Sequence, residues 1–288
     1  MISKTVKTNT KISLPKLIIG LWQIADIERK KKRLDLNKTA ESLNVYVNEG
    51  FSTFDLADHY GSSEIIAGIC KNNHSERDSI KLLTKWVPKP GPINKEAVYK
   101  AIMTSLERMN QKSIDLLQFH TWTYTNPYWL DALLFLKDFK EEGLIKNIGV
   151  TNFDANHLRI ACSTDIPIVS NQISHSIVDQ RAKGKMKSVC DQYSVRLLAY
   201  GTVLGGFLSN RWLGLPEPKE KELKTWSQMK YLRFIKASGG WKPFQNLLTT
   251  LNEISLKHNT SIANIASKFV LNNKNVSSVI IGARVGES

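Results

Sequence analysis

Three absences limit what this 288-residue chain can be. Its 3 cysteines stand far apart, without the paired spacing of a disulfide framework or a zinc site. No apolar run reaches the ~18 residues that a membrane-spanning helix needs. The N-terminus lacks the uninterrupted apolar core of a signal peptide. We therefore expect a soluble, cytoplasmic protein without a membrane partner or a metal site.

Negative charge is scarce relative to positive charge. Lys and Arg together number 40 against 26 acidic residues, which leaves a net charge of +14. The excess is mostly scattered lysine, and the one dense run, residues 29–33, is predicted to be a solvated loop or helix face. Because no aromatic side chains are grouped with the lysines, we expect no nucleic-acid partner. A positive field would favour a cofactor that carries phosphate.

Short apolar runs of strand length alternate with segments of helical periodicity along most of the chain. The runs are continuously apolar, which is typical of parallel strands covered on both faces. Strands are predicted at 17–22, 52–57, 80–86, 114–120, 147–153, 168–174, 196–202 and 278–283. Helices are predicted at 37–49, 62–72, 95–109, 130–142, 154–163, 180–192 and 261–272.

This alternation predicts a single-domain (β/α)8 TIM barrel over residues 1–288. The second choice, a doubly wound open sheet, would need a GxGxxG turn after an early strand, and the sequence has none. Two additions to the barrel are expected. Residues 6–14 are predicted to form an N-terminal β-hairpin that closes the bottom of the barrel. The stretch 203–277 is longer than one helix requires, and its part near 205–240 is predicted to be a long inserted loop after the seventh strand.

Four side chains that handle protons lie at or just beyond the ends of neighbouring predicted strands. Asp55 ends the second strand, and Tyr60 follows it in the segment FDLADHYGSSE. Lys85 lies at the end of the third strand and His120 at the end of the fourth. Catalytic groups of α/β barrels sit at the carboxyl ends of the strands, so we expect these four side chains to lie together. One such residue alone is usually structural, whereas four together indicate an enzyme.

Carbonyl reduction is the chemistry that these residue types allow. The ordinary pKa of tyrosine, roughly 10, is high for proton transfer at neutral pH. Lys85 is expected to lower the pKa of Tyr60, and Asp55 is expected to balance the charge of Lys85. His120 can hydrogen-bond the substrate oxygen. Without a further nucleophile or a metal cluster, a nicotinamide is the natural source of a hydride.

The motifs, taken in order, resemble the aldo-keto reductase family. The family pattern D-x-A-x-x-Y-G appears at Asp55, Ala57, Tyr60 and Gly61. It is followed by the family's lysine, Lys85 in LLTKW, and by its histidine, His120 in DLLQFH. The resemblance covers essentially the whole chain. It implies a barrel fold, NADPH as the cofactor and Tyr60 as the general acid.

The resemblance also implies a set of cofactor-binding residues. Thr151, Asn152 and Gln172 would hold the nicotinamide carboxamide, Tyr200 would stack under the ring, and Arg284 would bind the adenosine phosphate. The full set is Thr151, Asn152, Gln172, Tyr200, Gly201, Leu204 and Arg284. Glycine at 201 departs from the polar residue often found there, which alters the pyrophosphate contact. Because the family continues beyond the segment GAR, we expect this sequence to lack the family's C-terminal tail.

The substrate pocket is less defined by the sequence. Trp22, Trp86 and Trp122 follow strand ends and are predicted either to form an aromatic substrate wall or to pack at the barrel rim. His175 is predicted either to line the substrate pocket or to pack in the barrel. An aromatic wall suits a small-molecule aldehyde, ketone or sugar carbonyl.

The favoured interpretation is an NADPH-dependent oxidoreductase that reduces a carbonyl to an alcohol by hydride transfer. A nicotinamide-binding regulatory or redox-sensing subunit of the same fold is one alternative, although the intact set of four residues argues against it. A sugar or polyol dehydrogenase working in the oxidative direction is another, because it would use the same residues. A nucleic-acid-associated protein is the remaining alternative. The sequence leaves the oligomeric state open.

Overall fold

Eight parallel strands close into a barrel in chain order in the computed structural model, which describes residues 12–25 and 34–283. Each of the eight predicted strands is present, so the (β/α)8 barrel is confirmed. The strands are β1 (Leu17–Gly20), β2 (Thr53–Asp55), β3 (Lys81–Trp86), β4 (Leu116–His120), β5 (Ile148–Thr151), β6 (Ile168–Ser174), β7 (Arg196–Tyr200) and β8 (Val276–Gly282).

Helices surround the barrel, and most of them begin and end close to their predicted limits. They are α1 (Leu36–Asn48), α2 (Ser63–Asn73), α3 (Lys95–Met109), α4 (Trp129–Glu141), α5 (Ala155–Ser163), α6 (Lys185–Tyr193), α7 (Trp226–Ala237), α8 (Trp241–Lys257) and α9 (Ile262–Leu271). The side chain of Asn94 caps α3 by accepting a hydrogen bond from the Ala97 N–H. Within the described ranges, none of the helices is both long enough and apolar enough to cross a bilayer.

The interior of the barrel has an apolar layer below a polar one. Six apolar side chains fill the lower part: Ile18, Leu83, Leu116, Val169, Leu198 and Ile280. Because side chains alternate along a strand, the residues two positions further on, Lys85 and Gln118, also face inward. These two residues are Cα partners in the β3–β4 ladder. The strand register therefore brings polar side chains together at the carboxyl end of the barrel.

The described N-terminal residues cover the opposite, amino end of the barrel. Ile12 and Leu14 pack against the interior apolar layer. The Ser278 hydroxyl donates a 2.6 Å hydrogen bond to the Pro15 carbonyl oxygen, which ties this segment to β8. Most of the predicted hairpin at 6–14 lies outside the described residues, so that hairpin stays a prediction.

The segment between β7 and β8 corrects the predicted loop over 205–240, because its last part is helix α7. Tyr231, Leu232 and Ile235 lie on the buried face of that helix, and Thr225 caps it by accepting from the Gln228 N–H. The helix packs into a separate apolar cluster with α8 and α9. The glycine, proline and aromatic residues before α7 obscure its helical periodicity in the sequence. The first part of the predicted loop, up to residue 225, contains only short 3-10 turns.

Candidate active site

A buried ion pair lies at the carboxyl end of the barrel. Lys85 Nζ donates a 2.7 Å hydrogen bond to Asp55 Oδ2, and the two side chains are only 2% and 5% exposed. Lys85 also donates to the Leu56 carbonyl oxygen at 2.7 Å. The second carboxylate oxygen, Oδ1, accepts from Gln172 Nε2 at 2.7 Å and from Gln118 Nε2 at 3.2 Å. A buried charge is costly unless it is paired and hydrogen-bonded, and both conditions are met here.

Tyr60 lies beside this pair, in the loop between β2 and α2. Lys85 Nζ is 4.9 Å from the centre of the Tyr60 ring. The ring is packed edge-on by Trp22 and by His59, each with a 4.9 Å distance between ring centroids. The structure thus brings the predicted acid, tyrosine and lysine together.

The protonation of Tyr60 differs from the sequence-based expectation. Burial, and then the carboxylates of Asp55 and Asp58, raise the pKa of Tyr60 well above its ordinary value. The expectation that Lys85 lowers the pKa of Tyr60 is corrected, because Asp55 already neutralises the lysine at 2.7 Å. The phenol therefore keeps its proton at neutral pH.

His120 is buried at the end of β4 and is held in its neutral form. Burial, followed by the positive charge of Lys85, lowers the pKa of His120 from 6.5 to about 4. Its Nδ1 is buried and has no hydrogen-bond partner among the described residues. The imidazole ring is 4.6 Å from the ring of Trp122, centroid to centroid. A neutral histidine at this position can hydrogen-bond an oxygen atom without adding charge.

The three predicted wall tryptophans have different surroundings. Trp22 packs against Tyr60, and Trp122 is 72% exposed beside His120. Trp86 follows Lys85 directly and therefore points to the opposite face of β3. There it is buried in the layer between strands and helices, with its ring centroid 5.6 Å from that of Phe119. The structure does not bring Trp86 to the cluster around Tyr60.

The residues predicted to hold the nicotinamide line the next part of the rim. Thr151 is the Cα partner of both His120 and Gln172. Its hydroxyl is buried and has no partner in the described part of the chain. Asn152 is exposed, with φ at 58°, and its Oδ1 accepts a 2.8 Å hydrogen bond from the Tyr200 hydroxyl. An unpaired hydroxyl next to an exposed amide and an aromatic ring fits the carboxamide of a nicotinamide.

Gln172 has a further partner set that the sequence did not indicate. Its amide nitrogen donates to Asp55 and, at 3.0 Å, to Gln118 Oε1. Gln172 is buried, with 3% of the whole residue exposed. Gln172 therefore belongs to the network around the Asp55 carboxylate. Its contact with the nicotinamide carboxamide stays a prediction.

The remaining predicted residues have other surroundings or lie outside the described residues. Gly201 has φ at 71°, and a Cβ there would overlap the Tyr231 hydroxyl. Leu204 is fully buried in the apolar cluster of α7 to α9. His175 is buried in the loop after β6, with its Nδ1 2.9 Å from the Asp179 carbonyl oxygen. Arg284 and the basic run 29–33 lie outside the described residues.

Sequence reasoning missed several polar side chains at this site. Gln118 stands two residues before His120, so strand alternation was a signal that both face inward. Asp58 and His59 lie inside the family pattern at the two positions that D-x-A-x-x-Y-G leaves unspecified. Lys230 on α7, whose Nζ is 4.9 Å from the centre of the Tyr200 ring, had no sequence signal because α7 itself was not predicted.

The chain belongs to the aldo/keto reductase family. The family model for the aldo/keto reductases matches residues 16–287, nearly the whole chain. The match agrees with the barrel and with the polar cluster at its carboxyl end.

Several curated proteins are similar in sequence. The flagellar radial spoke protein 5 of Chlamydomonas reinhardtii is 30% identical over 127 residues, which cover 43% of this chain and 24% of that protein. Methylglyoxal reductase DkgA of Escherichia coli K12 is 27% identical over 171 residues, 58% of this chain and 57% of that protein. These matches thus span about a quarter and somewhat over half of the relatives' lengths. The NADH-specific methylglyoxal reductase of Escherichia coli K12 is 23% identical, over 96% of this chain and 88% of that protein.

Solved structures share the fold. A glycerol dehydrogenase from Gluconobacter oxydans superposes with a TM-score of 0.78 at 19% identity, covering 99% of this chain and 88% of that one. An aldo/keto reductase from Klebsiella pneumoniae, in complex with NADP and acetate, gives a TM-score of 0.67 at 16% identity, with 94% and 81% covered.

We predict that His120 stays neutral throughout the neutral and mildly acidic range. As pH falls below 6.5, the unfolded chain binds the proton first, so folding stability declines toward the folded pKa of about 4. The measurement is an NMR titration of the His120 Cε1 proton, assigned by its absence in His120→Gln. The resonance should not move until the pH approaches about 4. A midpoint near 6.5 would contradict this description of the site.

Proposed function

We propose that this protein reduces a small-molecule carbonyl compound to an alcohol with a nicotinamide cofactor, and that Tyr60 is the proton donor. The observation that carries the proposal is the position of Tyr60 beside the buried Asp55–Lys85 pair, with His120 at the end of the next strand, β4. Membership of the aldo/keto reductase family supports it. The similar proteins include reductases of methylglyoxal, itself a carbonyl compound.

Each side chain has a distinct part in the proposed reaction. A bound reduced nicotinamide would supply the hydride for the carbonyl carbon. Tyr60 holds the proton that the carbonyl oxygen must receive, and His120 can hydrogen-bond the same oxygen as a neutral group. Lys85, 4.9 Å from the Tyr60 ring, neutralises Asp55 and so limits how strongly that carboxylate disfavours the phenolate left after proton transfer. Asp55 holds Lys85 in place and balances its charge.

The state of Tyr60 favours the reductive direction over alcohol oxidation. An acid that donates a proton must start protonated, and the raised pKa of Tyr60 secures that form. A base for alcohol oxidation would need the phenolate instead, and burial together with Asp55 disfavours it. Together with the similarity to methylglyoxal reductases, this leads us to propose reduction, rather than polyol oxidation, as the working direction at neutral pH.

The residues at the rim fit a nicotinamide, and we propose NADPH rather than NADH. Thr151 and Asn152 would hold the carboxamide, and the partly exposed ring of Tyr200 would stack on the nicotinamide ring. The net charge of +14 and the family resemblance at Arg284 support a cofactor with an additional phosphate. Lys230 adds a cation beside Tyr200.

The cofactor preference predicts a kinetic difference. One charge-assisted hydrogen bond to the additional phosphate of NADPH is worth about 1.5–3 kcal/mol. The ratio kcat/KM should therefore be about tenfold or more higher for NADPH than for NADH. Initial rates at varied concentrations of each cofactor measure this ratio. Equal values, or a preference for NADH as in the NADH-specific relative, would contradict the proposal.

Replacement of the proton donor tests the reaction itself. We expect Tyr60→Phe to lower kcat on a reactive aromatic aldehyde by about 100-fold to 10,000-fold, because general acid catalysis is lost. Cofactor binding, followed by tryptophan fluorescence, should survive. Lys85→Met should also lose turnover, because the Asp55 carboxylate is then unpaired and disfavours the phenolate more strongly.

Tyr99→Phe is the matched control, since Tyr99 is 46% exposed on α3 and its ring is retained. Near-normal turnover in Tyr60→Phe would remove Tyr60 from the mechanism. A parent protein that binds the cofactor but reduces no aldehyde would favour the regulatory interpretation instead.

A further inference from the structure

His59, the residue before Tyr60, lies against the proposed catalytic groups without a part in their chemistry. Its ring centroid is 4.9 Å from that of Tyr60 and 6.4 Å from that of His120. The exposed Trp122 is 6.1 Å away on the same measure. The His59 side chain is 33% exposed, so it borders both the reacting groups and the open mouth of the barrel.

A carboxylate fixes the orientation of the His59 ring. Its Nδ1 is 2.8 Å from Asp58 Oδ1, and the other carboxylate oxygen of Asp58 accepts a 3.0 Å hydrogen bond from the Val87 N–H. Arg108 from α3 donates to the backbone carbonyl oxygen of Asp58 at 2.9 Å. The Arg108 guanidinium is also paired with the buried carboxylate of Glu64 at 3.1 Å. The support for His59 therefore comes from the loop after β3 and from the helices α2 and α3.

The hydrogen bond to Asp58 also determines what the second ring nitrogen can do. A carboxylate only accepts hydrogen bonds, so Nδ1 carries the proton of the neutral imidazole. Nε2 is then an acceptor, and no hydrogen bond to it occurs among the residues that the structure describes. An oriented acceptor that borders Tyr60 and His120 is suited to a hydroxyl group on the substrate.

We propose that His59 selects substrates that carry a hydroxyl on the carbon next to the carbonyl, that is, hydroxyaldehydes, hydroxyketones and small sugars. This inference rests on the proposed function, which places the carbonyl oxygen at Tyr60 and His120. Because His59 neighbours both of these residues, we expect its Nε2 to accept a hydrogen bond from a hydroxyl on the adjacent carbon. Trp122, exposed next to His59 and His120, offers an apolar surface to the carbon skeleton of the same compound.

A pair of aldehydes isolates the contribution of that hydroxyl. Lactaldehyde and isobutyraldehyde differ only in a hydroxyl or a methyl group on the carbon next to the carbonyl. We expect the parent protein to have the higher kcat/KM on lactaldehyde. His59→Phe keeps an aromatic ring but removes both nitrogens, so the ratio of the two kcat/KM values should fall about tenfold, the value of one hydrogen bond. Any loss that affects both aldehydes alike cancels in this ratio.

His258→Phe is the matched control, because His258 is an exposed histidine at the C-terminal end of α8 to which the proposal assigns no role. It should leave the ratio unchanged. If His59→Phe also leaves the ratio unchanged while both aldehydes are reduced, the role of His59 is wrong and the proposed function stands. If the parent protein binds the cofactor but reduces neither aldehyde, the proposed function fails, and this proposal fails with it.

Discussion

The site depends on one buried ion pair, between Lys85 on β3 and Asp55 on β2. A lysine that is 2% exposed as a side chain cannot stay charged without a counter-charge, and Asp55 provides it at 2.7 Å. The carboxylate in turn receives hydrogen bonds from Gln118 and Gln172, on two further strands. Residues from four strands therefore form one hydrogen-bonded network around this ion pair. The proposed roles of the neighbouring groups follow from it.

Two neighbouring groups have their protonation set by this pair and by burial. Tyr60 keeps its proton because burial and the Asp55 carboxylate disfavour the phenolate. His120 stays neutral because burial and the Lys85 cation disfavour its charged form. Both groups are thereby uncharged at neutral pH, which is the state that proton donation to a carbonyl oxygen requires. The pair thus contributes to the proposed chemistry without itself exchanging a proton.

Strand order and strand alternation explain what the sequence could predict. Eight apolar runs of the right length predicted the barrel, and the carboxyl ends of β2, β3 and β4 predicted that Asp55, Lys85 and His120 meet. Alternation also explains the outward position of Trp86, one residue after the inward Lys85. That position could have been predicted, because adjacent residues on a strand face opposite sides.

Other features depend on contacts between distant parts of the chain, which a single sequence does not reveal. The partners of Gln172 include Asp55, 117 residues away. The raised pKa of Tyr60 depends on burial by residues from several elements, and the charge of Lys85 alone suggested the opposite direction. Helix α7 was not predicted, because the segment that precedes it is rich in glycine and proline and obscures the helical periodicity. Asp58 and His59, between Ala57 and Tyr60, receive a proposed role only from the structure, in which His59 Nδ1 forms a hydrogen bond with the Asp58 carboxylate.

A double-mutant cycle between Asp55→Asn and Lys85→Met tests the central claim most directly. The measurement is the free energy of unfolding of the parent, both single variants and the double variant. Removal of one partner leaves the other buried and uncompensated, so each single variant should lose about 3–5 kcal/mol. The double variant should lose clearly less than the sum of the two, because it buries no unpaired charge. Additive losses would contradict the account, since they would mean that the two charges do not depend on each other.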